Sequence, residues 1–345
     1  MEKPIKVLVV DDSRTARALI RRSFAQHPDL VICGEAANPI EARDLIIKDQ
    51  PDVITLDVEM PSMNGLQFLD KIMRLRPIPV VMVSGLTARG ADIAITALQM
   101  GAFDCFPKPS SVVPGGDAYA GLARLVRQAA HSPVAKFQRN DPDDARHQQK
   151  TWAHDFGLVA IGASTGGVEA LEQVLSGFPR HSPPIVVCQH MPALFTSSFA
   201  SRLNQKIEPL SIGEARNGEV LLPGTVHIAP GGDRHTAVER RDGRYVTRLL
   251  KAAPVNGHCP SVDVLFDSVA ECAANAGLGI ILTGMGQDGA EGLLAMHRAG
   301  AWTIAQDKAS SVVYGMPRVA AELGAASQIV PLDQISAAAM TAQMR

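Results

Sequence analysis

The chain has 345 residues, of which 46% are hydrophobic, 20% charged and 4% aromatic. At roughly 150 residues per domain that suits two domains with a remainder, each long enough to bury a core, and disorder as the main state is excluded. Lys and Arg number 33 against 35 Asp and Glu, a net charge of −2, so there is no global basic field for holding nucleic acid.

Apolar runs at Lys6–Val10, Leu30–Cys33, Val53–Leu56, Pro79–Val83 and Ala102–Phe106 alternate with helix-period segments near 14–25, 39–49, 65–74 and 91–100. Short strands without polar alternation, separated by helices, predict a parallel sheet covered on both faces. A further helix is expected near 117–130. From His131 to Trp152 the chain is polar, broken by proline and poor in aliphatics, which reads as a linker. Apolar runs resume at Leu158–Ile161, Ile185–Cys188, Val226–Ala229, Gly279–Leu282 and Ala301–Ile304, with helical stretches near 167–175, 195–204, 261–275 and 289–298. The expected fold class is α/β: two doubly wound parallel-sheet domains, the second a three-layer α/β domain, joined by a linker.

Five scattered cysteines (Cys33, Cys105, Cys188, Cys259, Cys272) include no C-x-x-C pair. That argues against a disulfide framework or a zinc knuckle and fits a reducing compartment. The first strand turns acidic too soon for a signal peptide, and no apolar run approaches the ~20 residues of a membrane helix. A cytoplasmic location without membrane insertion is expected.

In open parallel sheets, sites form beyond the carboxyl ends of the strands. Asp11-Asp12, Asp57, Ser84 and Lys108 all fall at such ends in the first domain. Each aspartate alone is as readily a helix cap or a solvated loop acid. Three gathered carboxylates would repel one another unless a hard cation such as Mg²⁺ sat among them. In the order Asp-Asp, Asp, Ser, Lys, with Pro109 following Lys108, residues 5–109 resemble a response-regulator receiver domain, which is flavodoxin-like. The resemblance implies that Asp57 is the phosphoacceptor. It also implies that Asp12 and Asp57, helped by Asp11 and the Glu59 carbonyl, hold Mg²⁺ for phosphorylation, and that Ser84 and Lys108 sense the phosphoryl group. Phe106, with Phe103 nearby, stands at the aromatic switch position.

In the second domain, Val159-Ala-Ile-Gly162-Ala-Ser164-Thr165-Gly166-Gly167 runs a strand into a Gly-rich turn and a helix. Such a turn can bring backbone N–H groups to a phosphate, expose a serine nucleophile, or merely cap the helix. The next strand ends in Gln189-His190, where a dinucleotide site would want an acid, and an imidazole suits a general base instead. A third strand end, Thr283-Gly-Met-Gly-Gln-Asp288-Gly289, carries one acid into a helix. Ser164, His190 and Asp288 are therefore expected to converge on one sheet edge as a nucleophile, base and orienting acid, in a chain order that differs from that of α/β-hydrolases. His227 is expected in the core or on a strand face, Cys188 in the core, and His235 and His258 in solvated loops.

These segments, with Gln189-His190-Met-Pro192, Ile228-Ala-Pro-Gly231, His258-Cys-Pro-Ser-Val-Asp-Val-Leu-Phe266 and Ala305-Gln-Asp307 through Gly315-Met-Pro317, resemble the chemotaxis receptor methylesterase (CheB) family over nearly the full chain. The resemblance implies a receiver domain over 1–130, a linker over 131–152 and a methylesterase catalytic domain over 153–345. The implied activity is hydrolysis of glutamate γ-methyl esters on methyl-accepting chemoreceptors, with deamidation of receptor glutamines. The implied phosphodonor is a chemotaxis histidine kinase. A receiver ahead of an esterase on a polar linker suggests, as a hypothesis, that the unphosphorylated receiver docks over the face carrying Ser164 and that phosphorylation of Asp57 weakens that interface. The backbone N–H groups of Thr165 and Met285 are oxyanion-hole candidates. No cofactor is expected for the ester chemistry, and no nucleic-acid partner. The family pattern usually has Arg where this chain has Cys259.

Overall fold

Val7-Leu-Val-Val10 is wholly buried, as a strand covered on both faces requires. It lies in β1 (Ile5–Val10), which with β2 (Leu30–Ala36), β3 (Val53–Asp57), β4 (Val80–Ser84) and β5 (Asp104–Pro107) forms a five-stranded sheet in the order β2-β1-β3-β4-β5. Every pairing is parallel. The computed structural model describes residues 3–60, 65–85, 87–109, 117, 119–132, 152 and 156–343. The chain divides into two compact units, Met1–Asp141 and Pro142–Arg345. Most of the expected linker, residues 133–151, lies outside the described residues.

Helices α1 (Arg14–Phe24), α2 (Pro39–Asp49), α3 (Gly65–Leu75), α4 (Ala88–Gln99) and α5 (Ala120–His131) cover the first sheet. Their starts are written locally. Asn38 Oδ1 accepts from the Ile40 and Glu41 N–H groups at 3.0 Å each, while Glu41 accepts from the Ala37 N–H at 2.8 Å, a reciprocal capping arrangement. The sheet order reverses between β1 and β3, so the crevice at that switch point is flanked by Asp11 and Asp57.

The second unit has a seven-stranded parallel sheet in the order β14-β13-β12-β6-β7-β9-β8. Its strands are β6 (Leu158–Ala163), β7 (Ile185–Gln189), β8 (Ser211–Glu214), β9 (Thr225–Ile228), β12 (Gly277–Ile281), β13 (Trp302–Gln306) and β14 (Gln328–Val330). Helices α6 (Gly167–Ser176), α7 (Ala193–Lys206), α8 (Val262–Ala273), α9 (Ala290–Arg298), α10 (Met316–Glu322) and α11 (Ile335–Thr341) accompany it. On one side, Val262, Leu265, Phe266 and Val269 of α8 share a core with Leu158 and Ala160 of β6 and Leu293 and Met296 of α9.

Several elements were not expected from the apolar pattern. The edge strands β8 and β14 hold only four and three residues. An antiparallel hairpin of β10 (Arg234–Arg241) and β11 (Arg244–Lys251) reads as a charged segment because its ends are exposed and carry arginines and a lysine, while His235–Val238 and Val246–Thr247 in its middle are buried. Its tip, Asp242-Gly243, has φ of 51° and 77°, and Asp-Gly is the short-range signal for such a turn. His235, expected in a solvated loop, is instead 1% exposed in β10. Its Nδ1 accepts from the Ser261 N–H at 3.1 Å and its Nε2 donates to the Ala253 carbonyl at 3.0 Å. His227 lies buried in β9 and Cys188 in β7.

Candidate active site and acidic cluster

Adjacent strands of the second sheet deliver three chemical groups to one edge. Ser164 follows β6, His190 follows β7, and Asp288 lies in the turn between β12 and α9. The serine turn is tied down on both sides. The Ser164 N–H donates to the Thr283 carbonyl at 3.0 Å, and the Ser164 carbonyl accepts from the Gly167 N–H at 2.7 Å and Gln189 Nε2 at 2.9 Å. Thr283 fastens the neighbouring loops as well, with its hydroxyl donating to the Thr165 carbonyl at 3.0 Å and accepting from the Val313 N–H at 2.9 Å. A Cβ on Gly284 would stand 2.8 Å from Ser164 Cβ and 2.2 Å from Met316 Sδ, so this glycine is what lets the two turns touch. Among the described residues, the Met285 N–H just beyond it has no hydrogen-bond acceptor.

Asp288 is 1% exposed. Its carboxylate accepts from His190 Nε2, the Ser261 hydroxyl and the Val262 N–H at 2.7 Å each, and from the Asp263 N–H and Asn256 Nδ2 at 3.3 Å. Burial opposes its charge, but the bonds from His190, Ser261 and Val262 outweigh burial and hold the carboxyl well below the usual carboxylate range. Among the described residues, His190 Nδ1 is buried without a hydrogen-bond partner. The Ser164 hydroxyl makes no hydrogen bond to His190 in this structure, and such contacts often close only around substrate.

Four neighbours escaped the sequence reading. His258 is not a solvated loop residue: its ring lies flat on that of His190, with centroids 3.7 Å apart and planes 3° from parallel. Ser261 caps α8 and binds Asp288. Asn256 bridges Asp288 and Asp263, reaching Asp263 Oδ2 at 2.7 Å. Asp263 also accepts from the Gly292 N–H at 2.7 Å. Burial, reinforced by the Asp288 charge, pushes its carboxyl up to about 6. The Asn256-Gly257 dipeptide was the legible signal for a tight turn here. Cys259 is half-buried and free, its thiol raised by burial.

In the first unit, oxygen atoms of Asp11, Asp12 and Asp57 all lie within 4.8 Å of one another. Lys108 Nζ reaches Asp11 Oδ2 and Asp57 Oδ2 at 2.8 Å each, so its ammonium pairs with two of the three carboxylates. Burial pushes the Asp57 carboxyl up to about 6 despite the Lys108 contact. This set of hard oxygen donors with excess negative charge fits a divalent cation such as Mg²⁺. The Glu59 N–H donates to Asp57 Oδ1 at 3.3 Å. Ser84, fully buried, turns its hydroxyl toward the Gly85 and Gly90 carbonyls at 3.3 Å. Phe106 stacks on Tyr119 with centroids 5.8 Å apart, whereas Phe103 is buried in the core.

Residues 159–339 match the CheB methylesterase family and residues 7–113 the response regulator receiver domain. Two relatives are similar over almost the whole chain, both named protein-glutamate methylesterase/protein-glutamine glutaminase (the second with the suffix 1). The one from Agrobacterium fabrum is 52% identical, covering 96% of this chain and 94% of its own length. The one from Caulobacter vibrioides is 50% identical, covering 96% of both. Among solved structures, the Thermotoga maritima CheB methylesterase catalytic domain is 38% identical, with a TM-score of 0.52 over 53% of this chain and 97% of that one. Taken with the two parallel sheets and the residues at their strand ends, these matches place the chain in the CheB methylesterase family, with a response regulator receiver domain ahead of the catalytic domain.

Proposed function

We propose that this chain is a phosphorylation-controlled protein-glutamate methylesterase and protein-glutamine glutaminase acting on methyl-accepting chemoreceptors in the cytoplasm. The observation that carries the chemistry is the His190–Asp288 pair beside the pinned Ser164 turn. Ser164 Oγ attacks the γ-carbonyl of a methylated glutamate while His190 takes the hydroxyl proton. Asp288 already holds Nε2, so Nδ1 is the ring nitrogen left to serve the serine. The charged Asp288 stabilises the imidazolium that forms. The Thr165 and Met285 N–H groups face the developing oxyanion. Collapse of the tetrahedral intermediate expels methoxide, which leaves as methanol with the proton from His190. Water then attacks the acyl-serine by the same route, its proton passing through His190 to Ser164 Oγ and leaving a glutamate carboxylate. With a glutamine substrate the leaving group is ammonia.

The receiver domain occupies 1–130, the linker 131–152 and the catalytic domain 153–345. Asp57 takes the phosphoryl group from a chemotaxis histidine kinase, and Ser84 and Lys108 contact its oxygens. Asp11, Asp12, Asp57 and the Glu59 carbonyl would hold Mg²⁺. When bound, that ion balances the charge between carboxylates and incoming phosphate. No helix among the described residues is long and apolar enough to cross a membrane.

The test is initial methanol release from methylated receptor membranes by the full chain, with and without a small phosphodonor. Release that vanishes in Ser164→Ala, while Asp57 still takes label, supports the reading. Wild-type release by Ser164→Ala would sink it.

A further inference from the structure

Val255 and His258 pair as a tight turn, the Val255 N–H donating to the His258 carbonyl at 3.0 Å and the His258 N–H to the Val255 carbonyl at 2.9 Å. At its tip Asn256 and Gly257 have φ of 51° and 80°. Positive φ at both tip residues is what a two-residue type I′ turn demands, and Asn-Gly is the pair that adopts it at least cost. The turn is therefore a rigid bracket even though its tip is exposed.

The tip and one end of this bracket touch the acid–base pair. Asn256 Nδ2 reaches Asp288 Oδ1 at 3.3 Å and is anchored beneath by Asp263 Oδ2 at 2.7 Å. Two residues on, His258 lies parallel on the face of His190 at 3.7 Å. The hydrogen bond from Nε2 to Asp288 fixes one ring nitrogen of His190 but leaves the plane free to swing about that bond. A flat ring at stacking distance removes that freedom. It also keeps water from one face of a buried imidazole whose second nitrogen has no hydrogen-bond partner among the described residues.

We propose that the Val255–His258 turn is a positioning device for the reaction. His258 sets the plane of the His190 ring so that its free nitrogen meets the Ser164 hydroxyl, and Asn256 ties that bracket to the orienting acid. His258 is a positioning residue here, acting through His190. Its planarity rather than its basicity is what matters, because an imidazolium lies favourably on any aromatic face. The proposal rests on the Ser164–His190–Asp288 reading.

The experiment measures kcat and KM for methanol release from methylated receptor membranes by the full chain, and the rate at which a fluorophosphonate labels Ser164. The variants are His258→Ala, His258→Phe, His258→Tyr and Asn256→Gly. Removing the ring in His258→Ala is expected to lower kcat and the labelling rate by about tenfold or more, with KM within about twofold, since misorientation acts on the reacting geometry. A flat ring in His258→Phe or His258→Tyr restores both rates to within about threefold of wild type, as planarity survives without titration. Asn256→Gly keeps the turn but loses the amide, and lowers kcat while leaving KM in place. Wild-type kcat in His258→Ala would overturn the proposal. So would ring variants that fold, as thermal melts report, yet label as slowly as His258→Ala, or a loss that falls wholly on KM. Failure of the underlying triad reading has a different signature: methanol release that persists in Ser164→Ala.

Discussion

Asp288 shows how a single side chain is tuned by what surrounds it. An isolated buried carboxylate would take up a proton, yet five donors converge on this one and keep it charged. An amide at this place would turn an N–H toward the Ser261 or Val262 donors or lose the acceptor that fixes His190. Asp288→Asn is therefore expected to lower methanol release by on the order of 10⁴. A variant retaining a tenth of wild-type turnover would contradict the assignment of the acid. Asp263, 6% exposed and joined to Asp288 through Asn256, behaves in the opposite way. Burial raises its carboxyl from 3.8 to about 6, so between those values the folded chain holds a proton that the unfolded chain has lost. Its contribution to stability is whole below about pH 4 and falls as pH rises through about 6. Asp263→Asn lacks that fall. The deficit of the variant in denaturant midpoint should thus be larger at pH 4 than at pH 7, and an equal deficit at both would refute the titration.

At the scale of elements, the decisive contact is between two turns. The Thr283–Gly284 segment accepts hydrogen bonds from the Ser164 N–H at 3.0 Å and from the Gly315 and Met316 N–H groups at the start of α10, at 3.1 and 2.9 Å. It therefore joins the nucleophile turn to the helix behind it. Adding one methyl in Gly284→Ala meets Met316 Sδ at 2.2 Å and Ser164 Cβ at 2.8 Å, distances that force the turns apart. The expected cost is about 1–3 kcal/mol of stability and about 10² or more in turnover, since the Ser164 hydroxyl and the Met285 N–H move relative to each other. Thermal melts and fluorophosphonate labelling measure the two effects separately. A variant that melts low yet labels at the wild-type rate would show that the turn contact is structural alone.

For the whole molecule, the receiver and the esterase each own a sheet and a core, so control has to pass as a shift between two states of the chain, and a few kcal/mol suffices for that. Labelling of Asp57 by a small phosphodonor is expected to need Mg²⁺, because the Asp11, Asp12 and Asp57 oxygens cluster within 4.8 Å and an incoming phosphate adds charge of the same sign. Excess chelator should abolish the label, as should Asp57→Asn. Labelling that survives either would refute the metal requirement or the acceptor. If phosphorylation relieves an inhibition, a fragment beginning at Trp152 demethylates receptors faster than the unphosphorylated full chain, and Asp57→Asn holds the full chain at its basal rate. A fragment slower than the full chain would instead make the receiver an activator.

Features that leave a local trace were legible in the amino-acid order alone. Runs such as Val7–Val10 and Val159–Ile161 betray strands buried on both faces, because no water-facing side chain interrupts them. The turns after those strands then locate Asp11, Asp57, Ser164, His190 and Asp288 at strand ends without any knowledge of packing. The sheet order, the edge strands of three and four residues and the Arg-rich hairpin left little trace. Short edges, and a ribbon whose buried middle is brief and partly polar between charged ends, carry no apolar run long enough to stand out. The parts played by Asn256, His258 and Asp263 emerge from packing alone. They are polar residues in or beside a loop, and nothing in their spacing distinguishes a solvated loop from one held against a buried acid. That distinction arises when α8 packs on β6 and α9, bringing Ser261, Val262 and Asp263 to Asp288 and the Asn256–His258 turn to His190, across 98 residues of chain between the base and its acid.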